Sequence, residues 1–432
     1  MALNVVFIGF ILIGFLVALI RFFAFKDLEI FTTIIQGTFD SAAVGFDICI
    51  KLTGALTLWM GIMKIGENGK AVRYLSKLVA PFFNRLFPEL PKNHPVFGSI
   101  MMNFSANMLG LDNAATPMGL KAMEELQELN TQKEKASNAQ IMFLVLNTSG
   151  LTLIPISIIA LRTTELTLQQ TGKFANVPLG SFATDVFIPI LIATFVASLV
   201  GIIAVSIKQK INLLQPIVMA YLVGAVLLIV GTIIYFEGLT PEQIKVRSSF
   251  IASFTLFSVI VSFVLLAIKN KVNVYESFIE GAKGGFKTAI KIVPYLIGIL
   301  VAIGIFRSCG ALDFITDAMR WGVSFFTDKT EFVNALPTAI MKPLSGGGAR
   351  ATMVESMRHY GVAVVNGELI ESFPSFLSGV FQGSTETTFY VLAVYFGSVG
   401  IKKTRYALGA GLIADLAGII AAIFVAYLFY AH

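Results

Sequence analysis

Two glycine-rich, polar runs interrupt an otherwise hydrophobic sequence, and they occupy corresponding places in two halves that resemble each other. The first run spans residues 103–117, and the second spans residues 341–350. A lipid-facing helix accommodates neither, because each freed backbone group in hydrocarbon costs several kcal/mol unless protein or a water-filled cavity satisfies it. Matched interruptions of this kind predict broken or re-entrant helices that form a binding site near the bilayer midplane.

The composition places the chain in the membrane class. Hydrophobic residues make up 56% of the 432 residues, charged residues make up 13%, and the mean hydropathy is +0.80. These values exceed what the core of a soluble protein requires. We therefore expect an all-α polytopic protein that crosses the bacterial inner (plasma) membrane several times.

Charge and cysteine content exclude several classes of function. The net charge of +6 does not indicate nucleic-acid binding, because the basic residues are scattered in short connections, as in the cytoplasmic loops of membrane proteins. Cys49 and Cys309 lie in or beside apolar runs, where a free thiol behaves as a small hydrophobic group. The sequence therefore predicts no disulfide, metal site or cofactor. Nucleotide-driven pumping is not expected either, because the phosphate-loop pattern GxxxxGK[ST] is absent from the sequence.

Several apolar runs of about twenty residues are long enough to cross a bilayer as helices. They lie near residues 3–20, 42–63, 139–160, 185–207, 214–236, 248–268, 290–306, 374–399 and 406–430. The first run has neither a basic leader nor a small-residue cleavage site, which is typical of a retained helix rather than a signal peptide.

Short matching segments recur in the same order in both halves, which indicates an internal duplication. The matched pairs are 61–64 with 304–307, 82–83 with 325–326, 100–101 with 340–341, and 201–204 with 418–421. We divide the chain into a first half at residues 1–207, connecting transmembrane helices at residues 208–270 and a second half at residues 271–432. The basic connections do not decide whether the two repeats run parallel or inverted.

The strongest site candidate is Glu386, in the polar stretch 382–388 of the second half. A carboxylate within an apolar run is costly and marks a functional site by default. Glu386 could bind a cation, carry a proton or accept hydrogen bonds from a polar substrate. The alternative is a structural ion pair or a position among the lipid headgroups. Asp415, in the last apolar run, is a second candidate for ion or proton coupling, and the alternative is pairing with a cation such as Arg405.

The first half has a neutral counterpart of this stretch at residues 147–152, which carries amide and hydroxyl groups but no charge. If both halves face one cavity, it supplies neutral donors opposite Glu386. Otherwise its small and hydroxyl-bearing residues serve close helix packing.

At the two interrupted runs, a helix that restarts after Asn113 or after Gly348 would point its positive N-terminal end into the gap. The alternative is a tight surface turn, with Asp112 as a helix cap. The predicted substrate-binding residues are Asn103, Asn107, Asn113, Asn147, Ser149, Ser345, Gly347, Gln382, Ser384, Thr385, Glu386 and Thr387, and the predicted ion- or proton-coupling residues are Glu386 and Asp415.

Four segments carry a resemblance to known membrane proteins. The first half resembles the spore maturation protein A family through residues 107–121. The second half resembles the spore maturation protein B family through residues 307–313, 342–349 and 382–390. Both families are classed as nucleoside-recognition, or gate, domains, which are similar to the cores of concentrative nucleoside transporters and to the membrane domain of the ferrous-iron transporter. The resemblance implies two gate-like repeats and a role in membrane transport.

The residues and the resemblance together favour a secondary transporter for a small polar solute, nucleoside-like or amino-acid-like, driven by a proton or sodium gradient. The alternatives are an ion or solute channel and a membrane assembly protein that transports nothing. An intramembrane enzyme built on Ser345 with Lys342 or His359 is the weakest hypothesis, so we expect no enzymatic activity. A homo-oligomer is expected only by analogy with other gate-like proteins.

Overall fold

Helices dominate the chain, and a short antiparallel hairpin interrupts them. The computed structural model describes residues 2–91, 94–110, 112–170, 176, 183–365 and 367–430. In chain order the elements are α1 (Ala2–Phe25), α2 (Ile30–Asn68), α3 (Ala71–Leu86), α4 (Val96–Met108), α5 (Asp112–Leu129), α6 (Asn138–Ser149), α7 (Ile156–Gln169), α8 (Phe187–Gln209), α9 (Pro216–Glu237), α10 (Pro241–Lys269), α11 (Val274–Ser308), α12 (Ala311–Ser324), a short 3-10 helix (Glu331–Ala335), α13 (Leu336–Leu344), α14 (Gly346–Tyr360), β1 (Val362–Val365), β2 (Glu368–Glu371), α15 (Phe373–Gly383), α16 (Thr388–Ser398) and α17 (Ala407–Phe429). The predicted site residue Asn113 and the predicted cap Asp112 belong to α5, but their side chains lie outside the described ones.

Five helices of the described part are long and apolar enough to cross a membrane, namely α1, α8, α9, α10 and α17. Large apolar side chains on α1, α9 and α10, such as Phe23, Leu227 and Phe254, are exposed. Soluble proteins rarely expose apolar surface on this scale, whereas a bilayer covers it. The prediction of an all-α polytopic membrane protein is confirmed, and the hairpin of β1 and β2 is the departure from it in the described ranges.

Serine side chains fix where two of the short helices begin. At the start of α6 the hydroxyl of Ser137 accepts a hydrogen bond from the backbone N–H of Gln140. At the start of α15 the hydroxyl of Ser372 accepts one from the backbone N–H of Ser375. Each hydroxyl satisfies one of the N–H groups that a helix start leaves free. The same device therefore begins α6 in the first half and α15 in the second.

The apolar run 139–160, which we expected to form one continuous helix, is broken, and that prediction was wrong. α6 ends at Ser149, and Gly150 then adopts a left-handed conformation with φ of 50°, which glycine reaches without steric cost. α7 begins only after Pro155, which has no N–H with which to continue a preceding helix.

The run 374–399, also expected to be continuous, is broken between α15 and α16, although residues 384–387 contain neither glycine nor proline. The backbone N–H of Glu386 instead donates to the carbonyl oxygen of Thr148 at 2.8 Å. A hydrogen bond between the two halves thus replaces one within the helix. Gly150 permits this approach, because a Cβ there would lie 2.8 Å from Cγ of Glu386.

The helix order of the first half recurs in the second. In each half a long helix (α2 or α11) is followed by an amphipathic helix (α3 or α12), two broken helices and a long apolar helix (α8 or α17). α1 precedes the first repeat, and α9 and α10 lie between the two repeats. The exact boundaries of the halves, at residues 207 and 270, stay a prediction.

The long helices α2 and α11 pack against each other in opposite directions. Gly45 lies against Ile297, and Gly61 lies against Phe278. Positions later in α2 therefore contact positions earlier in α11, which makes the two helices antiparallel. They are nevertheless the equivalent helices of the two repeats.

The last helices of the repeats, α8 and α17, are also antiparallel. Gly201 lies against Ala414, and Gly418 lies against Ala197. In the alignment of the two repeats that pairs Gly201 with Gly418, Ala197 pairs with Ala414. The contact of Gly201 with Ala414 is therefore the symmetry counterpart of the contact of Gly418 with Ala197. The repeats are therefore inverted, which answers the question that the loop charges left open.

Candidate functional site

The four helix breaks, which lie between α4 and α5, α6 and α7, α13 and α14, and α15 and α16, contact one another. The breaks α4–α5 and α6–α7 are joined by the backbone N–H of Leu153, which donates to the carbonyl oxygen of Met108 at 2.8 Å. The breaks α6–α7 and α15–α16 share the hydrogen bond described above. At the start of α14, a Cβ on Gly346 would lie 2.9 Å from Oγ1 of Thr387 in the α15–α16 break. Freed backbone groups thus find partners inside the protein, as intramembrane helix breaks require.

A cavity of about 710 Å³ lies between these breaks and one side of α16. Both halves contribute to its wall. Its polar lining includes Asn107, Thr116, Asn147, Lys342, Ser345, Arg350, Glu386 and Thr387. Phe389 and Tyr390 of α16 add aromatic surface. A few polar groups in a partly apolar wall are the usual makeup of a small-molecule site.

A smaller polar chamber of about 70 Å³ adjoins this cavity. Four residues line both spaces and therefore stand between them, namely Asn107, Lys342, Arg350 and Glu386. The remaining wall comes from Gly110 of the α4–α5 break, the α6–α7 break, the first residues of α7, the end of α15 and the α15–α16 break.

Amide groups and a tyrosine connect the breaks of the first half to α16. The Nδ2 of Asn107 donates to Oδ1 of Asn147 at 2.9 Å, and the hydroxyl of Tyr395 donates to the same oxygen at 3.4 Å. The Nδ2 of Asn103 donates to the Tyr395 hydroxyl at 3.3 Å and to the carbonyl oxygen of Ala115 at 2.8 Å. This network holds Asn107 and Asn147 in fixed positions on the cavity wall.

Two cations and one carboxylate stand between the cavity and the chamber. Lys342 is 5% exposed, and the Nε of Arg350 is buried without a hydrogen-bond partner among the described residues. Glu386 is exposed to the open space, and no described residue forms an ion pair with it. Lys342 and Arg350 were not among the predicted site residues, although the interrupted run 341–350 contains both. A cation within an intramembrane run is the signal that identifies them.

Asp415 lies behind the α15–α16 break rather than in the cavity. It is 1% exposed, its Oδ2 accepts a hydrogen bond from the Thr388 hydroxyl at 2.7 Å, and the Thr385 hydroxyl is a second donor to its carboxylate. Gly411 and Gly418 share its face of α17 and allow the break to come close. A Cβ on Gly411 would lie 3.0 Å from Cγ2 of Thr388, and one on Gly418 would lie 2.8 Å from Cγ2 of Thr385.

The structure brings most of the predicted site residues together. Asn107, Asn147, Ser345, Gly347, Glu386 and Thr387 line the large cavity, and Gln382 and Thr385 line the small chamber. Asn103, Ser149 and Ser384 are buried and line neither space. The hydroxyls of the two serines donate to carbonyl oxygens three residues earlier in the chain, those of Leu146 in α6 and Phe381 in α15. In the described ranges, no three His, Cys, Asp or Glu side chains are placed to hold a metal ion.

The fold and the cavity define a class, a polytopic membrane protein built from two inverted repeats with broken helices. The profile of the family described as "Gate: Nucleoside recognition" matches residues 49–164. Spore maturation protein B of Bacillus subtilis (strain 168) is 44% identical over 179 residues, which are 94% of that protein and 41% of this chain. Spore maturation protein A of the same organism is 37% identical over 168 residues, which are 79% of that protein and 39% of this chain. The chain belongs to the spore maturation protein A and B family, and the two matches are consistent with a fusion of both.

Proposed function

We propose that this protein is a gradient-coupled transporter of a small polar solute, nucleoside-like or amino-acid-like, in the bacterial inner (plasma) membrane. The observation that carries the proposal is the polar cavity of about 710 Å³ at which helix breaks from both inverted repeats meet. Secondary transporters place substrate and ion sites between discontinuous helices at such a repeat interface. The family's description as nucleoside recognition supports a nucleoside-like solute as one alternative.

The inverted repeats supply a mechanism for access from either side of the membrane. When two inverted repeats exchange conformations, a site between them that was open to one side opens to the other. The contacts of Gly201 with Ala414 and of Gly418 with Ala197 involve small residues, and such surfaces let helices approach closely without interlocking large side chains. One repeat can therefore rock against the other along α8 and α17.

Glu386 and Asp415 are the proposed coupling residues. Glu386 reaches the solute, whereas Asp415 contacts the opposite side of the same break through Thr388. A proton or a sodium ion at Asp415 neutralises a buried carboxylate, and the hydroxyls of the break transmit its presence to Glu386. Occupancy of one site then changes affinity at the other, which is the requirement for coupled transport.

Ser345 is proposed to contact the solute through the cavity rather than to act as a nucleophile. Its hydroxyl accepts a hydrogen bond from the backbone N–H of Gly348 at 3.0 Å, which caps α14. That bond holds the first turn of α14, with Gly346 and Gly347, at the edge of the cavity.

The test is uptake into liposomes that contain the purified full-length protein. Nucleosides and amino acids are offered separately, with an imposed proton gradient, an imposed sodium gradient or neither. We expect saturable uptake of one chemical class that requires one of the gradients. Glu386→Gln should lower this uptake at least about tenfold, equivalent to about 1.4 kcal/mol, because it removes the carboxylate that faces the solute.

Glu134→Gln is the matched control, because Glu134 is a surface carboxylate whose side chain is 64% exposed. Solute uptake by the Glu134→Gln protein should equal uptake by the unaltered protein. Uptake that does not saturate and ignores both gradients would identify a channel instead. Equal uptake by Glu386→Gln and Glu134→Gln would remove Glu386 from the site.

A further inference from the structure

The start of α7 forms one wall of the small chamber. Pro155, Ile156, Ser157 and Ile158 all line it, and Pro155 at the N-cap position provides no side-chain hydrogen bond. The first N–H groups of a helix have no partner within it and carry a partial positive charge. The N–H of Ile156 donates to the carbonyl oxygen of Ile154 at 2.9 Å, so the N–H groups of Ser157 and Ile158 are the ones suited to an anion in the chamber.

Side chains from the second half add donors to the same chamber. Thr385 also lines it, but its buried hydroxyl is directed to the carboxylate of Asp415. The buried Nε of Arg350 has no hydrogen-bond partner among the described residues, and Lys342 adds a second cation to the wall. Leaving a buried donor without a partner is costly. A ligand that accepts hydrogen bonds and carries negative charge would satisfy the helix start and the guanidinium together.

The dimensions of the two spaces restrict the anion. The chamber measures about 70 Å³ and the adjoining cavity about 710 Å³, so the chamber holds a group of a few heavy atoms while the cavity holds the rest of a solute. Glu386 lines both spaces. A carboxylate there opposes a dianion such as a phosphate monoester but complements an ammonium group.

We propose that the chamber binds the carboxylate of a zwitterionic solute, an α-amino acid or a short peptide, with the solute's ammonium group at Glu386 and its side chain in the large cavity. The inference rests on the proposed function, since it names the solute class of the same site. It assigns Arg350 and the start of α7 to carboxylate recognition. An arginine pairs well with a carboxylate, because its planar group can donate two parallel hydrogen bonds.

The test measures equilibrium binding to the purified full-length protein in detergent. The probes are the individual L-amino acids, dipeptides, nucleosides and inorganic phosphate. Every acid that binds is then compared with its own carboxamide, which lacks the negative charge but keeps the ammonium group. We expect acids to bind and their carboxamides to bind at least about tenfold more weakly, the equivalent of about 1.4 kcal/mol.

Variants of Arg350 connect this preference to the chamber. Arg350→Gln should weaken binding of the acid and leave binding of the carboxamide nearly unchanged, so the ratio of their dissociation constants falls toward one. Arg350→Lys keeps the charge and should retain part of the ratio, which separates recognition from misfolding. Arg320→Gln is the control, because Arg320 is a partly exposed cation paired with Asp317 on α12, and it should leave the ratio unaltered.

Three outcomes would overturn the inference. The first is tight binding and gradient-driven uptake of nucleosides without any acid that binds, and the second is equal weakening of acid and carboxamide by Arg350→Gln. Both of these leave the transporter proposal intact. The third is binding of inorganic phosphate in preference to every amino acid, which would reject the carboxylate assignment. The absence of both binding and uptake for all probes would reject the inference together with the proposed function.

Discussion

The two halves of this protein share their helix order and their packing but not their charges. In the alignment of the repeats that pairs Gly201 with Gly418, Ser198 corresponds to Asp415. The first half therefore has a hydroxyl at the position where the second half has a carboxylate. Both side chains are buried. Around the cavity the first half contributes amides and hydroxyls, whereas the second contributes Lys342, Arg350 and Glu386.

This difference separates two tasks that a duplicated membrane protein must perform. The symmetric contacts between α8 and α17 need only small residues, and they serve both halves equally. Recognition of a solute needs an asymmetric set of charges, because a solute has no two-fold symmetry. In the proposed transporter, duplication would supply the scaffold, and the charges of the second half would supply the recognition chemistry.

Breaking the buried ion pair between the halves should have the largest effect on stability. Arg162 of α7 donates to both carboxylate oxygens of Glu371, at 3.0 and 2.7 Å, and the two side chains are 0% and 2% exposed. Glu371→Gln removes this negative charge from beside a buried guanidinium, which costs about 3–5 kcal/mol. The free energy of unfolding in detergent micelles measures this loss.

The matched control is the pair of Lys402 with Glu134, which also joins the two halves, at 2.6 Å, but with side chains 72% and 64% exposed. Lys402→Gln should change the free energy of unfolding by about 0–1 kcal/mol. Comparable losses of unfolding free energy in Glu371→Gln and Lys402→Gln would show that burial does not determine how much these ion pairs stabilise the protein.

Equivalent glycines test whether the packing of the two halves is as similar as their contacts indicate. A Cβ on Gly201 would lie 2.9 Å from Cγ1 of Val145, and one on Gly418 would lie 2.8 Å from Cγ2 of Thr385. Gly201→Ala and Gly418→Ala should each destabilise the fold by about 1–3 kcal/mol through overpacking. Thermal and denaturant unfolding of both variants gives the comparison.

Gly409→Ala is the control on the same helix as Gly418, because no atom lies within 4 Å of a Cβ at that position. It should be neutral or stabilise α17 by about 0.5–1 kcal/mol, since alanine favours helix more than glycine does. If only one of Gly201→Ala and Gly418→Ala destabilises the protein, the interface is less symmetric than the sequence shift implies.

The membrane class, the repeat and the polar segments could be predicted from the sequence, because each depends on composition or on order along the chain. Glu386 was identified because a carboxylate in an apolar run is unusual whatever surrounds it. The structure places it on the wall of the cavity that Asn107 and Asn147 also line. The direct role of these side chains in solute binding stays a prediction.

The helix breaks within 139–160 and 374–399 could not be predicted in the same way. Serine, threonine and glycine hardly change a hydropathy average, and the α15–α16 break depends on the hydrogen bond from Glu386 to Thr148, which lies far away in sequence. The inversion of the repeats was equally hidden, because loop charges gave no consistent orientation. Only the pairing of equivalent helices across the interface determines it.

Replacing Asp415, the carboxylate of α17 that α8 lacks, should have the smallest effect on stability. It should have a clear effect on how stability depends on sodium or pH. Asp415→Asn keeps an acceptor for the Thr388 hydroxyl and should change the free energy of unfolding by less than about 1 kcal/mol. If Asp415 binds the coupling ion, the unaltered protein is stabilised by sodium or by a change in pH, and Asp415→Asn is not. Ser198→Ala, at the equivalent position of the first half, should keep the full ion dependence. Unfolding measured across a series of sodium concentrations and pH values distinguishes the two ions, and an ion dependence that persists in Asp415→Asn would place the coupling site elsewhere.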